Sequence, residues 1–400
     1  MNRFDIIIWG ASSFTGKLVT EYFFKKFGSN KFKWAIAGRN KEKLEIIRSE
    51  VADKKIPILI ADSFDEQSLS LIVKETKVIC STVGPYSLYG SLLVELCVKH
   101  STNYCDITGE VHWIRTLIDR FHEDAKMKKI KIVNSCGFDS VPSDMGVYFI
   151  QSELNKLNLH TKEIKMRVAG IRGGISGGTY KSLNNLLKEA YKDKDVFKVL
   201  KNPYGLNPID KMEGDDRKDL QKIMFDNVSG SWIFPFAMAG INTKIVRRSN
   251  ALSNFHYGKD FTYEEAMIAG KGLKGLIKAA ISVLSLAIVS INPNSFVKKF
   301  IDYFMPKPGE GPGIKNREQG FYNLRFFIKL KDNSMALAKV IGDRDPGYGS
   351  TSKILAESAL CLAFDDLPSN YGIITPSYSM GDKLLKRLRE NAGLSFELIF

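Results

Sequence analysis

Residues Asp5–Phe23, DIIIWGASSFTGKLVTEYF, carry the reading of the fold. Asp5 to Trp9 is a short apolar run rich in isoleucine, as a strand buried on both faces of a parallel sheet requires. Gly10-Ala11-Ser12-Ser13-Phe14-Thr15-Gly16 follows, and Leu18, Val19, Tyr22 and Phe23 then recur at helical spacing. Strand, glycine turn and helix in that order make a phosphate-binding unit. Gly10 permits the sharp turn, Gly16 lets helix and strand approach, and the open amides at the helix start attract a diphosphate. The turn reads G-x-x-S-x-x-G, an extended spacing with Ser13 where a glycine is usual. Serine is small enough for a ligand to approach the backbone. A glycine turn alone also fits an ordinary strand–helix connection. Context decides for a dinucleotide, because this turn follows a predicted strand and opens a predicted helix.

The next units extend the reading. Phe32 to Ala37 is a second strand, ending at Gly38-Arg39-Asn40. An acidic residue there suits the ribose hydroxyl of NAD, whereas arginine suits the 2′-phosphate of NADP. Arg39, with Lys41 and Lys43 close behind, favours NADP over NAD, the alternative being a solvated helix start. Ile56 to Ile60 is a third strand, and Asp62 just beyond it is placed near the adenine. Lys77 to Thr82 is a fourth, ending in Val83-Gly84-Pro85-Tyr86 at the carboxyl edge, where open α/β sheets bind ligands. The binding set is therefore Gly10 to Gly16, Arg39, Asn40, Lys43, Asp62, Val83, Gly84 and Pro85.

The chain has 400 residues, 44% of them hydrophobic, enough for two or three domains with a sizeable core. Its net charge of +14 favours anionic partners, but the basic residues are scattered and no nucleic-acid motif is present, so nucleic acid is not expected. Cys80, Cys97, Cys105, Cys136 and Cys361 form no C-x-x-C pair and mostly lie in apolar runs, which fits free thiols in a reducing compartment. Cys136 reads better as a buried small hydrophobe than as a nucleophile. The five histidines lack metal-ligand spacing; His112, after Gly109-Glu110, either titrates near a cofactor or packs as an ordinary histidine. A first strand beginning by Asp5 leaves no room for a cleaved leader, so a cytoplasmic protein is expected.

Residues 1–147 alternate strands and helices, which argues a parallel sheet with helices on both faces, a Rossmann-type α/β fold. Residues 148–345 change pattern to an α+β substrate and dimerisation domain, in which 323–331 and 335–341 pair around Lys331-Asp332-Asn333-Ser334. Residues 346–400 add a helix, a short strand, a helix and an apolar terminal strand. Within the second domain, 264–305 reads as a hydrophobic helical hairpin. Its uncharged run from Ala279 to Ile291 is too short to span a bilayer, and Lys271, Lys274 and Lys278 lie on one face before it. Such a hairpin is either buried in the protein or a dimer interface, or it lies on a membrane or lipid-droplet surface.

With these segments laid out, the chain resembles the saccharopine dehydrogenase-like oxidoreductases, which include animal and plant relatives and the mycobacterial trans-acting enoyl reductases. The resemblance runs through GASSFTG at Gly10, WAIAGRNKEKL at Trp34, STVGPYSLYG at Ser81, YCDITGE at Tyr104, NSCGFDSVPSDMGV at Asn134, SGGTYKSL at Ser176, DPGYGST at Asp345 and GIITPSYSMGDKLLKRL at Gly372. It implies a Rossmann domain onto which the C-terminal segment returns, an inserted α/β domain and a nicotinamide cofactor. Animal relatives associated with lipid droplets and mycobacterial relatives that reduce a lipid intermediate imply an apolar substrate. The expected reaction is hydride transfer between NADP(H) and a hydrophobic carbonyl or enoyl compound, with Tyr86, Asp139 and Tyr180 as candidate proton donors. Two alternatives stand beside it. One is saccharopine-type amino-acid chemistry, which needs converging arginines such as Arg167, Arg172, Arg247 and Arg248. The other is a lipid-surface protein that keeps the fold without turnover.

Overall fold

The Asp5–Trp9 run is indeed a strand at the middle of a parallel sheet. In the computed structural model, all residues are described except 1–2, 52, 175–180, 183, 186–188, 190–192, 217 and 290–309. The first part of the chain runs β1 (Phe4–Trp9), α1 (Phe14–Phe27), β2 (Trp34–Gly38), α2 (Lys41–Val51), β3 (Ile58–Ile60), α3 (Glu66–Val73), β4 (Thr76–Ser81), α4 (Tyr86–Tyr89), α5 (Ser91–Lys99), β5 (Asn103–Cys105), α6 (Val111–Met127), β6 (Lys131–Val133) and α7 (Val141–Lys156). β1 and β2 are almost wholly apolar because helices cover both their faces, and each fully buried isoleucine contributes about 1.5–3 kcal/mol.

The second part runs β7 (Thr161–Arg172), α8 (Lys194–Lys201), β8 (Met224–Asp226), β9 (Ser231–Phe234), α9 (Ala239–Leu252), β10 (Thr262–Gly270), α10 (Gly272–Val289), α11 (Ile314–Glu318), β11 (Phe321–Leu330) and β12 (Met335–Gly342). β11 and β12 form the expected hairpin, with Lys329 opposite Met335. Four elements then return: α12 (Thr351–Phe364), β13 (Gly372–Ile374), α13 (Pro376–Asn391) and β14 (Leu394–Ile399).

The first sheet has the order β13-β6-β5-β4-β1-β2-β3, all parallel. The second is mixed, β14-β12-β11-β7-β10-β9-β8, with only β7 and β10 parallel. One core runs from Ile8 and Val78 of the first sheet, through Met145 and Phe149 of α7, to Phe326 and Val340 of the second. The returning segment divides its attachments: α12 lies on α1, β1, β4 and β5, and β13 extends the first sheet, but β14 pairs with β12 in the second.

The hairpin expected over 264–305 needs correction at its start. Residues 262–270 are strand β10, and the helix begins only at Gly272. Gly270 and Gly272, at φ +128° and +57°, make the break between them. The predicted turn at Asn292-Pro293-Asn294 and the second arm lie outside the described residues. Among the described residues, no helix is long and apolar enough to cross a membrane.

Candidate functional site

The order of the first sheet reverses between β1 and β4, and the carboxyl ends of these strands open a crevice of the kind that binds dinucleotides. Gly10, at φ +84°, is pressed so closely on Val83 that a Cβ there would lie 2.4 Å from its Cγ2. A Cβ on Gly16 would lie 2.2 Å from the Gly10 carbonyl oxygen and 2.8 Å from the Ala11 Cα. Helix and turn are in direct contact at Gly16, and the turn is pressed on the end of β4 at Gly10.

Ser13 has a different part. Its φ of −72° needs no glycine. Its hydroxyl accepts the Gly16 amide at 2.9 Å, capping α1, and donates to the Thr82 hydroxyl at 3.0 Å. Thr82 in turn donates towards the carbonyls of Trp9 and Gly10, so one hydroxyl pair ties the turn to the end of β4. The amides of Phe14 and Thr15, in the first turn of α1, have no protein acceptor among the described residues. This cradle of close-packed glycines and free helix-start amides fits a diphosphate.

Arg39, just past β2, is exposed and without a partner among the described residues, and Lys43 is exposed beside it. Asn40 caps α2 by accepting the Lys43 amide at 2.8 Å. Asp62 shapes the turn after β3 by accepting the Phe64 amide at 3.0 Å. The Gly84–Pro85 peptide is cis, and a Cβ on Gly84 would lie 3.1 Å from the Ser182 hydroxyl, so the second part of the chain covers this edge.

Of the candidate proton donors, Tyr86 stands in the wall. Its hydroxyl donates to the Ser81 carbonyl at 3.2 Å, its ring stacks on Trp113, and burial pushes the phenol well above its usual range. Asp139, in the turn after β6, is half-buried beside Gly137, where a Cβ would meet its Oδ2 at 3.4 Å and Ile107 at 3.1 Å. Burial, with a smaller push from Asp106, raises its carboxyl to about 7. Tyr180 lies outside the described residues.

Two acids near the crevice do structural work that composition did not reveal. Asp106 accepts from the Tyr104 hydroxyl, the Asn134 side-chain amide and the backbone amides of Thr108 and Ser135, locking the loops after β5 and β6 together; burial raises it to about 6. Glu110 accepts the amides of Tyr86 and Ser87 at 2.8 and 2.9 Å and so caps α4. The D-x-T-x-E spacing was the available signal for both. Cys136 is fully buried with its thiol pushed well up by that burial, as a small hydrophobe rather than a nucleophile.

The four arginines do not converge. Arg167 pairs with Asp226 and Glu264, Arg247 with Asp216, and Arg172 reaches Gln319 from an exposed position. Arg248 is fully buried, donating to the carbonyls of Leu206 and Ile373, and burial lowers it to about 9. No cationic site for a polycarboxylate forms from these four.

Comparison with known proteins adds to this geometry. Residues 6–133 match the family model for the saccharopine dehydrogenase NADP binding domain. A provisionally named trans-acting enoyl reductase of Mycobacterium tuberculosis is 35% identical, over 99% of this chain and 97% of that protein. The trans-acting enoyl reductase of Mycobacterium ulcerans is 32% identical over 96% of each. Among solved structures, apo saccharopine dehydrogenase (L-Glu forming) from Saccharomyces cerevisiae aligns with a TM-score of 0.54 at 11% identity, over 99% of this chain and 100% of that one. Homospermidine synthase from Legionella pneumophila, in complex with NAD, aligns at 0.52 and 10% identity, over 99% and 91%. At these identities the structural likeness is one of fold.

Proposed function

Because the chain belongs to the saccharopine dehydrogenase-like NAD(P)-dependent oxidoreductases, together with the trans-acting enoyl reductases, we propose that it transfers hydride between NADP(H) and a hydrophobic or lipid-linked carbonyl or enoyl substrate. The observation that carries the proposal is the cradle at the β1–β4 reversal, where Gly10 and Gly16 clear the backbone and the Phe14 and Thr15 amides have no acceptor among the described residues. When bound there, the nicotinamide supplies or accepts the hydride.

The protein's own residues have separable tasks. The helix-start amides hold the diphosphate. Arg39 meets the 2′-phosphate, which supports NADP over NAD. The Val83-Gly84-Pro85 edge would seat the nicotinamide, with Asp139 near enough to the adjoining Tyr86 to act on it electrostatically. A carboxyl near 7 changes charge across neutral pH, and its ionised form would favour the cationic, oxidised state of a nicotinamide bound nearby. The dispersed arginines argue against a saccharopine-type substrate with several carboxylates. Calorimetry with NADPH and NADH, followed by NADPH consumption with medium-chain enoyl thioesters, aldehydes and saccharopine, tests the proposal. Absence of binding by either cofactor at millimolar concentration overturns it.

The proposal extends to a lipid surface. On α10, Leu273, Ile277, Ile281 and Leu284 are 71, 50, 61 and 62% exposed, and they repeat at helical spacing beside exposed Lys271, Lys274 and Lys278. An apolar stripe flanked by lysines supports in-plane attachment to an anionic lipid surface, with each lysine adding about 1 kcal/mol near it. This would bring an apolar substrate to the enzyme.

A further inference from the structure

Ser87, His112 and Glu189 meet beside the crevice from three separate stretches of chain. His112, in the first turn of α6, is only 8% exposed. Its Nε2 lies 2.5 Å from Oε2 of Glu189, and among the described residues both ring nitrogens are buried without a well-aligned hydrogen-bond partner. The other carboxylate oxygen of Glu189 accepts from the Ser87 hydroxyl at 3.1 Å and from the Asn185 side-chain amide at 2.7 Å. Asn185 also donates to Ser87 at 3.0 Å. Glu110, the N-cap residue of α6 two positions before His112, is turned to the amides of Tyr86 and Ser87, and Arg115, one turn further along α6, pairs with Asp119.

The place of this cluster matters as much as its chemistry. Ser87 is two residues past Pro85, and Ser182, close in sequence to Asn185 and Glu189, sits over Gly84. The imidazole therefore borders the edge assigned above to the nicotinamide. A histidine that merely packs gains nothing from ring nitrogens left without well-aligned partners among the described residues, because an unpaired buried polar atom costs about 1–3 kcal/mol. A carboxylate held by several donors beside one nitrogen fixes the tautomer and orientation of the ring and leaves the far nitrogen for a reactant.

Resting on the oxidoreductase reading above, we propose that His112 carries the proton that accompanies hydride transfer, with Glu189 as the residue that positions it. In the reducing direction the substrate carbon gains the hydride with its electron pair. The displaced pair of the C=O or C=C bond moves to oxygen or to the α-carbon. That atom takes the proton from the imidazolium, which is left neutral and regains a proton from solvent. The reverse direction runs the same transfers backwards.

The test uses full-length protein labelled with 15N-histidine, in which the His112 ring signals are those lost in His112→Gln. Binding of NADPH, followed independently by tryptophan fluorescence, is expected to move the His112 signals in wild type and to leave them unmoved in Glu189→Gln. Signals that stay in place while fluorescence reports bound NADPH overturn the proposal. Failure of NADPH to bind at all instead overturns the oxidoreductase reading, and this inference with it. A kinetic arm separates a proton carrier from a structural tie, with trans-2-decenoyl-CoA and decanal as probes. Glutamine at 112 can still bond Glu189, so His112→Gln should keep its melting temperature within about 2 °C. Its KM for NADPH should stay within about twofold while kcat falls at least about 100-fold. An unchanged kcat overturns the proposal, and if neither probe turns over, the ring signals decide.

Discussion

Substituting Gly16 by alanine tests the cradle most directly. The new methyl carbon would sit 2.2 Å from the Gly10 carbonyl oxygen, 2.8 Å from the Ala11 Cα and 2.8 Å from the Thr82 hydroxyl. Two of these are backbone atoms at the core of the first sheet, so α1 must yield, by about 1 Å to restore an ordinary contact. That retreat stretches the 3.0 Å bond from Ser13 to Thr82 and carries the Phe14 and Thr15 amides off the diphosphate. Overpacking of this kind costs about 1–3 kcal/mol of stability, a fall of about 1–4 °C in Tm for a chain this long. NADPH affinity should drop at least about tenfold, equivalent to 1.4 kcal/mol. Gly240→Ala is the control: its Cβ meets nothing within 4 Å on α9, so it should gain up to about 1 kcal/mol and bind NADPH as wild type does. Calorimetry on both variants, with circular dichroism to verify folding, decides. A folded Gly16→Ala protein whose Kd for NADPH stays within about twofold of wild type would refute the assignment of this turn to the diphosphate.

Arg39→Ala should weaken NADPH by about tenfold or more while leaving NADH nearly unchanged, read as the ratio of the two Kd values; an unchanged ratio removes Arg39 from the phosphate site. Asp139→Asn should weaken NADP+ relative to NADPH above pH 7, where the native carboxyl is ionised, and the two affinities measured at pH 6 and pH 8 reveal it. Asp106, Asp139, Asp144 and Glu265 are all raised, to about 6, 7, 6 and 7, with burial the largest cause in each. Between about pH 4 and pH 7 the folded protein then holds protons that the unfolded chain has lost, so these groups lower stability as pH rises through that window. Urea midpoints should fall from pH 5 to pH 7, and fall less in Asp139→Asn. Replacing Leu273, Ile277, Ile281 and Leu284 by serine should abolish co-sedimentation with phosphatidylserine vesicles without lowering Tm, because these side chains are exposed; undiminished sedimentation would argue that α10 does not attach the protein to lipid.

The cradle was legible because everything that makes it is local. An apolar strand, two glycines at fixed separation and an amphipathic helix fall within Asp5–Phe23, and from outside this stretch the turn is held by Thr82 and by the Ala37 carbonyl, which accepts the Gly10 and Ala11 amides. Ser13 read only as a small residue in place of the usual glycine and is in fact a helix cap, which its residue type allowed but its motif position concealed. The start of the hydrophobic hairpin was misread because Ala266, Met267, Ile268 and Ala269 run into the apolar helix with only Gly270-Lys271-Gly272 between, and apolar content does not distinguish a strand from a helix over so short a run. The pairing of His112 with Glu189 was illegible for another reason. Their separation in sequence carries no period or spacing, and only the fold brings them together. The arginines show the reverse error that sequence invites: four suitable charges looked like a pool for anion binding, yet three are buried among partners that fix strands and helices.

The division of the returning segment has a consequence for biogenesis. β6 gains its outer neighbour only from residues 372–374, and β12 gains its own only from residues 394–399. A nascent chain leaving the ribosome therefore exposes one bare hydrogen-bonding margin on each layer until this late stretch emerges. Such margins are templates for unwanted pairing with other chains. Stalled or truncated translation products of this protein should accordingly be strong clients of chaperones, even when the nucleotide cradle near the start is already formed.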